Sequence, residues 1–281
     1  MRLYFAGVVL SGLGLSVLAC QSDYTMYPGI EGCDTDAGHC NNAAGGGVVP
    51  GAGGSTSASS TSGVGGATAA TTLLGGVDII TAPTFQDTGT PYSGAANIVA
   101  VPQAGGTITT MFTGGSGATF ELLDMPAGNA WILVQDTSGG AAGILSTYSG
   151  PVGTPNPAQI TVPVLSSQLL TNIASNLPGA LIGGVSPLAA QVVLVVTHGG
   201  APYQGLTVSG GAGSAHVVYD IGPGSYSDTT TATSTGGTIV LLNLGTLGAA
   251  TISLTDTTTM AVVPVTILTA ANAATLVYLG L

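Results

Sequence analysis

The sequence predicts an all-β protein, and three observations carry that expectation. Gly accounts for 46 of 281 residues. Short runs rich in Val, Ile and Thr are broken by Gly, Pro, Asn and Asp, which favours strands and turns over helices. Several runs alternate: Ile252 and Leu254 stand between Thr251, Ser253 and Thr255, the period of a half-buried strand. The pattern also repeats. Gly89-Thr90-Pro91-Tyr92-Ser93-Gly94 matches Gly200-Ala201-Pro202-Tyr203-Gln204-Gly205 at an offset of 111, and Phe120–Met125 matches Ile239–Leu244 at an offset of 119. After a one-residue insertion the second match continues from Ala130–Asp136 into Ala250–Asp256. The expected architecture is two tandem seven-stranded β-sandwiches joined by a short helix, after a disordered tether rich in Gly, Ser, Thr and Ala.

Residues 1–19 read as a signal peptide. Met1-Arg2 gives a positive start, Leu3 to Leu18 carries no charge, and small residues close the segment. Sixteen apolar-rich residues fall short of the roughly 20 that a membrane-spanning helix needs, and polar Gln21-Ser22-Asp23 follows at once. Val17-Leu18-Ala19-Cys20 resembles the lipobox of bacterial lipoproteins, with Leu18 bulkier than the family's usual small residue. The resemblance implies that Cys20 becomes a lipidated N-terminus held in the membrane by two or three acyl chains, at about 0.8 kcal/mol per buried CH₂. It also implies a cell-envelope location, the outer membrane first. Of three cysteines, lipidation of Cys20 leaves Cys33 and Cys40 as an even pair.

Residues 20–40 form a short polar stretch with a small cysteine loop. In an exported chain Cys33 and Cys40 are most simply a disulfide. A metal site using both cysteines, His39 and an Asp is the alternative, although zinc sites usually present two close ligand pairs. Asp34-x-Asp36-x-Gly38 is similar to the start of a calcium loop, but its Gly comes one position early and no acid closes position twelve. No metal or other cofactor is therefore expected. Residues 41–76 read as a flexible linker of Gly, Ala, Ser, Thr and Val, with little to bury.

Charge excludes several functions. Arg2 is the sole basic residue against twelve acids, so the exported part carries no cation. Nucleic-acid binding needs Lys or Arg to neutralise phosphate, and docking on anionic lipid needs them too. Stability must come from burial and backbone hydrogen bonds.

Sandwich 1 is expected over 77–164 and sandwich 2 over 191–281. Strands of the second are placed at Gln191–Thr197, Gly205–Ser209, His216–Ile221, Thr238–Asn243, Ala249–Thr255, Val262–Leu268 and Ala274–Leu279. A helical connector occupies 165–190. Leu165, Leu169, Ile173 and Leu177 form its apolar stripe, with Ser166 as cap and Pro178 as stop. The Gly-x-Pro-x-x-Gly start of each unit, and the strand and turn over Phe120–Gly128, resemble carboxypeptidase regulatory-like, or transthyretin-like, domains. Gly245-Thr246-Leu247-Gly248 replaces the second unit's Pro-Ala-Gly turn.

No catalytic set emerges. None of the three histidines has Glu three residues later, as the zinc peptidases that carry such domains require, and Gly-x-Ser-x-Gly is absent. Ser214, His216 and Asp220 can be drawn as a triad, but residues of one strand do not converge on one point. The candidate ligand-facing residues are Trp131, Tyr92 and Tyr203, which could line a sugar platform, with a core role as the alternative for Trp131. The expectation is a non-enzymatic envelope lipoprotein serving as a structural or interaction module, with a carbohydrate-binding module as its rival. Its partners would be the membrane, through the lipid, and an envelope protein or polysaccharide. Self-association through unguarded strand edges is a further route.

Overall fold

The computed structural model describes residues 71–281 apart from 87–88, 116, 138–142, 155, 157–158, 180 and 182. Cys20, Cys33, Cys40, His39 and the segments read as signal, cysteine loop and most of the tether lie outside the described residues. Among the described residues are seventeen strands and one short helix, so the chain is all-β. The first half holds β1 (Thr71–Ile80), β2 (Thr90–Pro91), β3 (Ala96–Pro102), β4 (Ile108–Phe112), β5 (Phe120–Met125), β6 (Gly128–Asp136), β7 (Ile144–Thr154) and β8 (Ile160–Ser166). Helix α1 (Leu169–Ser175) follows. The second half holds β9 (Ala190–His198), β10 (Ala201–Pro202), β11 (Leu206–Gly210), β12 (His216–Gly222), β13 (Ser225–Ser227), β14 (Thr238–Leu244), β15 (Gly248–Asp256), β16 (Val262–Thr269) and β17 (Ala273–Gly280).

The seven strands expected in the second half all form, each within a residue of its expected bounds. The first half departs at its start. β1 begins at Thr71, inside the segment read as linker. Gly75-Gly76 looks like linker in sequence, yet the Phe120 ring occupies the space a Cβ at Gly75 would need. The glycine lets the aromatic ring close on the backbone.

Pairing repeats along with sequence. β1 pairs antiparallel with β2 and β5 and parallel with β8; β9 pairs antiparallel with β10 and β14 and parallel with β17. Gly75 faces Phe120 and Leu194 faces Ile239, both partners 119 residues on. Each ladder breaks at the same bulge, resuming at Thr71↔Met125 and at Ala190↔Leu244. β3–β6–β7 corresponds likewise to β11–β15–β16. One strand changes partner: β4 stays with β3, whereas β12 pairs with β14.

The halves are joined by more than a connector. Parallel pairing of β17 with β7 (Ala273↔Ser146 to Leu276↔Ser149) makes one long sheet, in the order β13-β12-β14-β9-β17-β7-β6-β3-β4. Layers cover this sheet on alternating faces. Along the first half, β5, β1 and β8 cover one face over a core that includes Ile98, Phe112, Phe120 and Ile132. Along the second half, β11-β15-β16 covers the opposite face over Val192, Leu194, Ile252 and Ile267. The second half's other face is also covered, by α1 and the loop after β1, over Val193, Val195, Val240 and Leu276. Burial on both faces explains the unbroken apolar runs of β9 and β14.

α1 is shorter than its stripe. Leu165 ends up in β8 and Leu177 beyond the helix, yet both join Leu169 and Ile173 in one core. Ser166 closes β8 instead of capping; the N-cap is Gln168, without a side-chain bond. Beside α1, Phe85 is fully buried in that core. The Tyr278 hydroxyl donates to the Phe85 carbonyl at 2.8 Å, and the Tyr226 hydroxyl donates to the Pro83 carbonyl.

Candidate functional site

Three of the four quadrants of the long sheet are covered. The fourth is the outer face of β4-β3-β6-β7, where, among the described residues, only Trp131 of the outward apolar side chains joins a hydrophobic core. Opposed residues of neighbouring strands share a face, so the registers assign its residues. Thr109, Val99, Leu133 and Tyr148 form one row, and Met111, Asn97 and Gln135 a second. Val101 and Trp131 form a third. Met111 is 58% exposed, Thr109 and Gln135 are exposed, and the others are partly so. The face carries no charged side chain. Partial burial pushes the Tyr148 hydroxyl above its usual range.

One boundary of this face is a step. Tyr148 sits opposite Thr275 of β17, and the Thr275 hydroxyl donates to the Leu268 carbonyl of β16 at 2.5 Å. β16 therefore stands over β17 at the border of the quadrant. Trp131 fills the corner, packing against the core of the second half.

The molecule contains its own comparison for this face. By register, Asn97, Trp131, Leu133 and Gln135 correspond to Thr207, Thr251, Ser253 and Thr255 on the outer face of β11-β15-β16. Tyr148 corresponds to Pro264, opposite Ser253 as Tyr148 is opposite Leu133. Along β15 the second half carries hydroxyls on this surface, Thr251, Ser253 and Thr255, with Val262 and Pro264 of β16 beside them. The first half dresses it in Trp, Tyr, Leu, Val and two amides. An open apolar patch of this kind is a candidate interaction site.

The aromatic residues singled out from the sequence do not assemble. Tyr92 is only 4% exposed, stacked on Phe112 inside the first core, and its buried hydroxyl has no hydrogen-bond partner. It has no ring face to offer a ligand. Tyr203 belongs to the second half, where its hydroxyl donates to Asp256 Oδ2 at 2.8 Å and its ring meets His198 edge-on. Trp131 alone borders the open face. Its partners there, Tyr148, Asn97 and Gln135, escaped the sequence reading. The signal was the aligned pair Trp131 and Thr251: an outward position aromatic in one unit and hydroxylic in the other.

The Ser214/His216/Asp220 grouping does not form. His216 Nε2 lies 2.9 Å from Asp228 Oδ2. Burial alone would raise the Asp228 carboxyl, but hydrogen bonds from His216 and the Gly179 N–H outweigh it and hold it below its usual range. Asp220 is buried and accepts the backbone N–H groups of Ser234, Gly236 and Thr238 at 3.2, 2.6 and 2.9 Å, an arrangement that shapes a loop. A cleft of about 430 Å³ lies at the seam of the halves, lined by Asp136, Ser146, Ser167, Thr171, Gln191 and Asn272 among others. The Gln191 amide is spent there, accepting from the Asn243 N–H at 2.8 Å and donating toward the Ser186 carbonyl. Among the described residues no helix is long and apolar enough to cross a membrane.

No family model and no curated protein matches the chain. Among solved structures it is similar to the Bacillus anthracis TIE protein, at 9% identity and a TM-score of 0.20. That match covers 74% of this chain and spans about a third (33%) of the other.

Proposed function

We propose that the chain is a non-enzymatic cell-envelope lipoprotein, an interaction module held to a bacterial membrane by acylated Cys20 and a linker. The observation that carries the interaction role is the open, uncharged face of β4-β3-β6-β7, on which Trp131, Leu133 and Tyr148 stand where the equivalent face has Thr251, Ser253 and Pro264. The anchor rests on the lipobox-like Val17-Leu18-Ala19-Cys20. In this reading each half is a seven-stranded transthyretin-like sandwich. β1 and β3–β8 make the first, and β9, β11, β12 and β14–β17 the second, supported by shared registers and a shared bulge. The halves share a sheet and a core. The module projects one fixed surface on a tether.

Edge-to-edge self-association has less support. β11 presents Leu206 and Val208 N–H groups already taken by the Thr233 and Tyr219 hydroxyls at 3.0 and 2.9 Å. Pro264 removes a donor from β16.

Metabolic labelling with palmitate tests the anchor. Label on the wild-type chain that disappears in Cys20→Ala is the expected result, and label that persists in the variant overturns it.

A further inference from the structure

We propose that the open face binds a neutral glycan chain, laid across β7, β6, β3 and β4, stacked on Trp131 and Tyr148 and hydrogen-bonded by Asn97 and Gln135. The inference rests on reading this face as the module's interaction surface and names its ligand class.

Three observations select that class. The first is charge. The described chain has no Lys or Arg and the whole protein carries a formal charge of −11, so anionic polymers are repelled everywhere and find no cation. A cationic partner would seek carboxylates, and none lies on this face. A neutral ligand is what remains.

The second is chemistry. A sugar ring offers apolar C–H faces ringed by hydroxyls. Aromatic rings satisfy the former with offset contact, and side-chain amides, which both donate and accept, satisfy the latter. Asn97 and Gln135 are opposed across β3 and β6, one row from the Val99–Leu133–Tyr148 row. Apolar and amide groups thus alternate along the sheet surface.

The third is shape. β4 stays with β3 in the first half, where its counterpart β12 joins β14. The partner change widens this face from three strands to four. Across four strands, at about 4.8 Å each, the platform spans roughly 15 Å. That length suits two or three consecutive sugar rings, and the β16 step aligns the chain at one border.

The test uses full-length chain carrying Cys20→Ser, held in a detergent without a sugar headgroup because the apolar Leu3–Leu18 run remains, in native gels cast with amylose, laminarin, galactomannan or alginate. Retardation by at least one neutral glycan, none by alginate, and about tenfold weaker retardation in Tyr148→Ala are expected. Gln135→Ala should also weaken it, while Thr251→Ala on the equivalent face should leave it unchanged. Trp131 is left intact because it packs against the second core. No retardation in any neutral gel, retardation in alginate, or loss in Thr251→Ala would overturn the proposal. So would a concentration-dependent dimer that Met111→Lys abolishes without any glycan binding, which would give the face to a second copy. Failure here leaves the palmitate result untouched, so anchor and ligand are judged separately.

Discussion

Asp124 and Asn243, 119 residues apart, hold the same left-handed backbone at φ 58° and 61° inside the same bulge. Asn and Asp tolerate this conformation better than other side chains. Their surroundings differ. Asp124 is exposed, whereas Asn243 accepts the Ser186 N–H at 2.7 Å and donates to the Gly184 carbonyl at 2.9 Å. Asp124→Ala should cost about 1 kcal/mol, from backbone strain alone. Asn243→Ala should cost about 2–4 kcal/mol, since the lost bonds add about 1–3. Urea unfolding of the two variants measures the difference, and equal costs would show that the Asn243 bonds contribute nothing.

The same pair shows what could be read in advance. Strand positions were legible because alternation and turn residues are local: Ile252 and Leu254 inward, Thr251 and Ser253 outward. The repeat was legible because two short matches kept their order. Pairing between halves was not. β17 chooses β7 as its second neighbour through a long-range contact with no local pattern. The open face was half legible: alternation turns Trp131 and Leu133 outward, but only the shared sheet shows which face stays uncovered. Gly75 misled for a related reason, since the ring that needs its missing Cβ lies 45 residues away at Phe120.

Phe85 carries the junction. Its ring is fully buried, edge-on to Tyr226, in a core shared by the loop after β1, α1 and the second half. Phe85→Ala should cost about 3–5 kcal/mol. Because the halves share this core, Trp131 fluorescence and far-UV circular dichroism should report one coincident, lowered transition. Two separated transitions in the wild-type protein would show that the halves fold independently.

Asp220 is a structural acid. Its carboxylate satisfies three backbone N–H groups of the loop leading into β14. In Asp220→Ala those donors lose their acceptor, at about 1–3 kcal/mol for each one left buried. A loss of about 3–5 kcal/mol is expected in thermal or urea unfolding. A variant within about 0.5 kcal/mol of wild type, the range of an ordinary surface substitution, would remove the loop role.

Acid should unfold the protein through two carboxylates in the second half. Hydrogen bonds from the Thr259 hydroxyl, the Thr258 N–H and the Tyr203 hydroxyl hold Asp256 down to about 2. Asp228 is also held below its usual range, its burial outweighed by His216 and the Gly179 N–H. Unfolded, both would titrate near about 3.9. A carboxyl depressed in the folded state contributes stability that is complete above the unfolded value and is lost as pH falls toward the folded one. The contribution of these two groups should therefore be constant from neutral pH down to about 5 and fall between about 4 and 2. Asp256→Asn, which cannot ionise, should start lower at pH 6 and lose less between pH 4 and 2 than wild type. Melting temperatures of both proteins across that range decide it, and parallel curves would mean that Asp256 takes no part in acid unfolding.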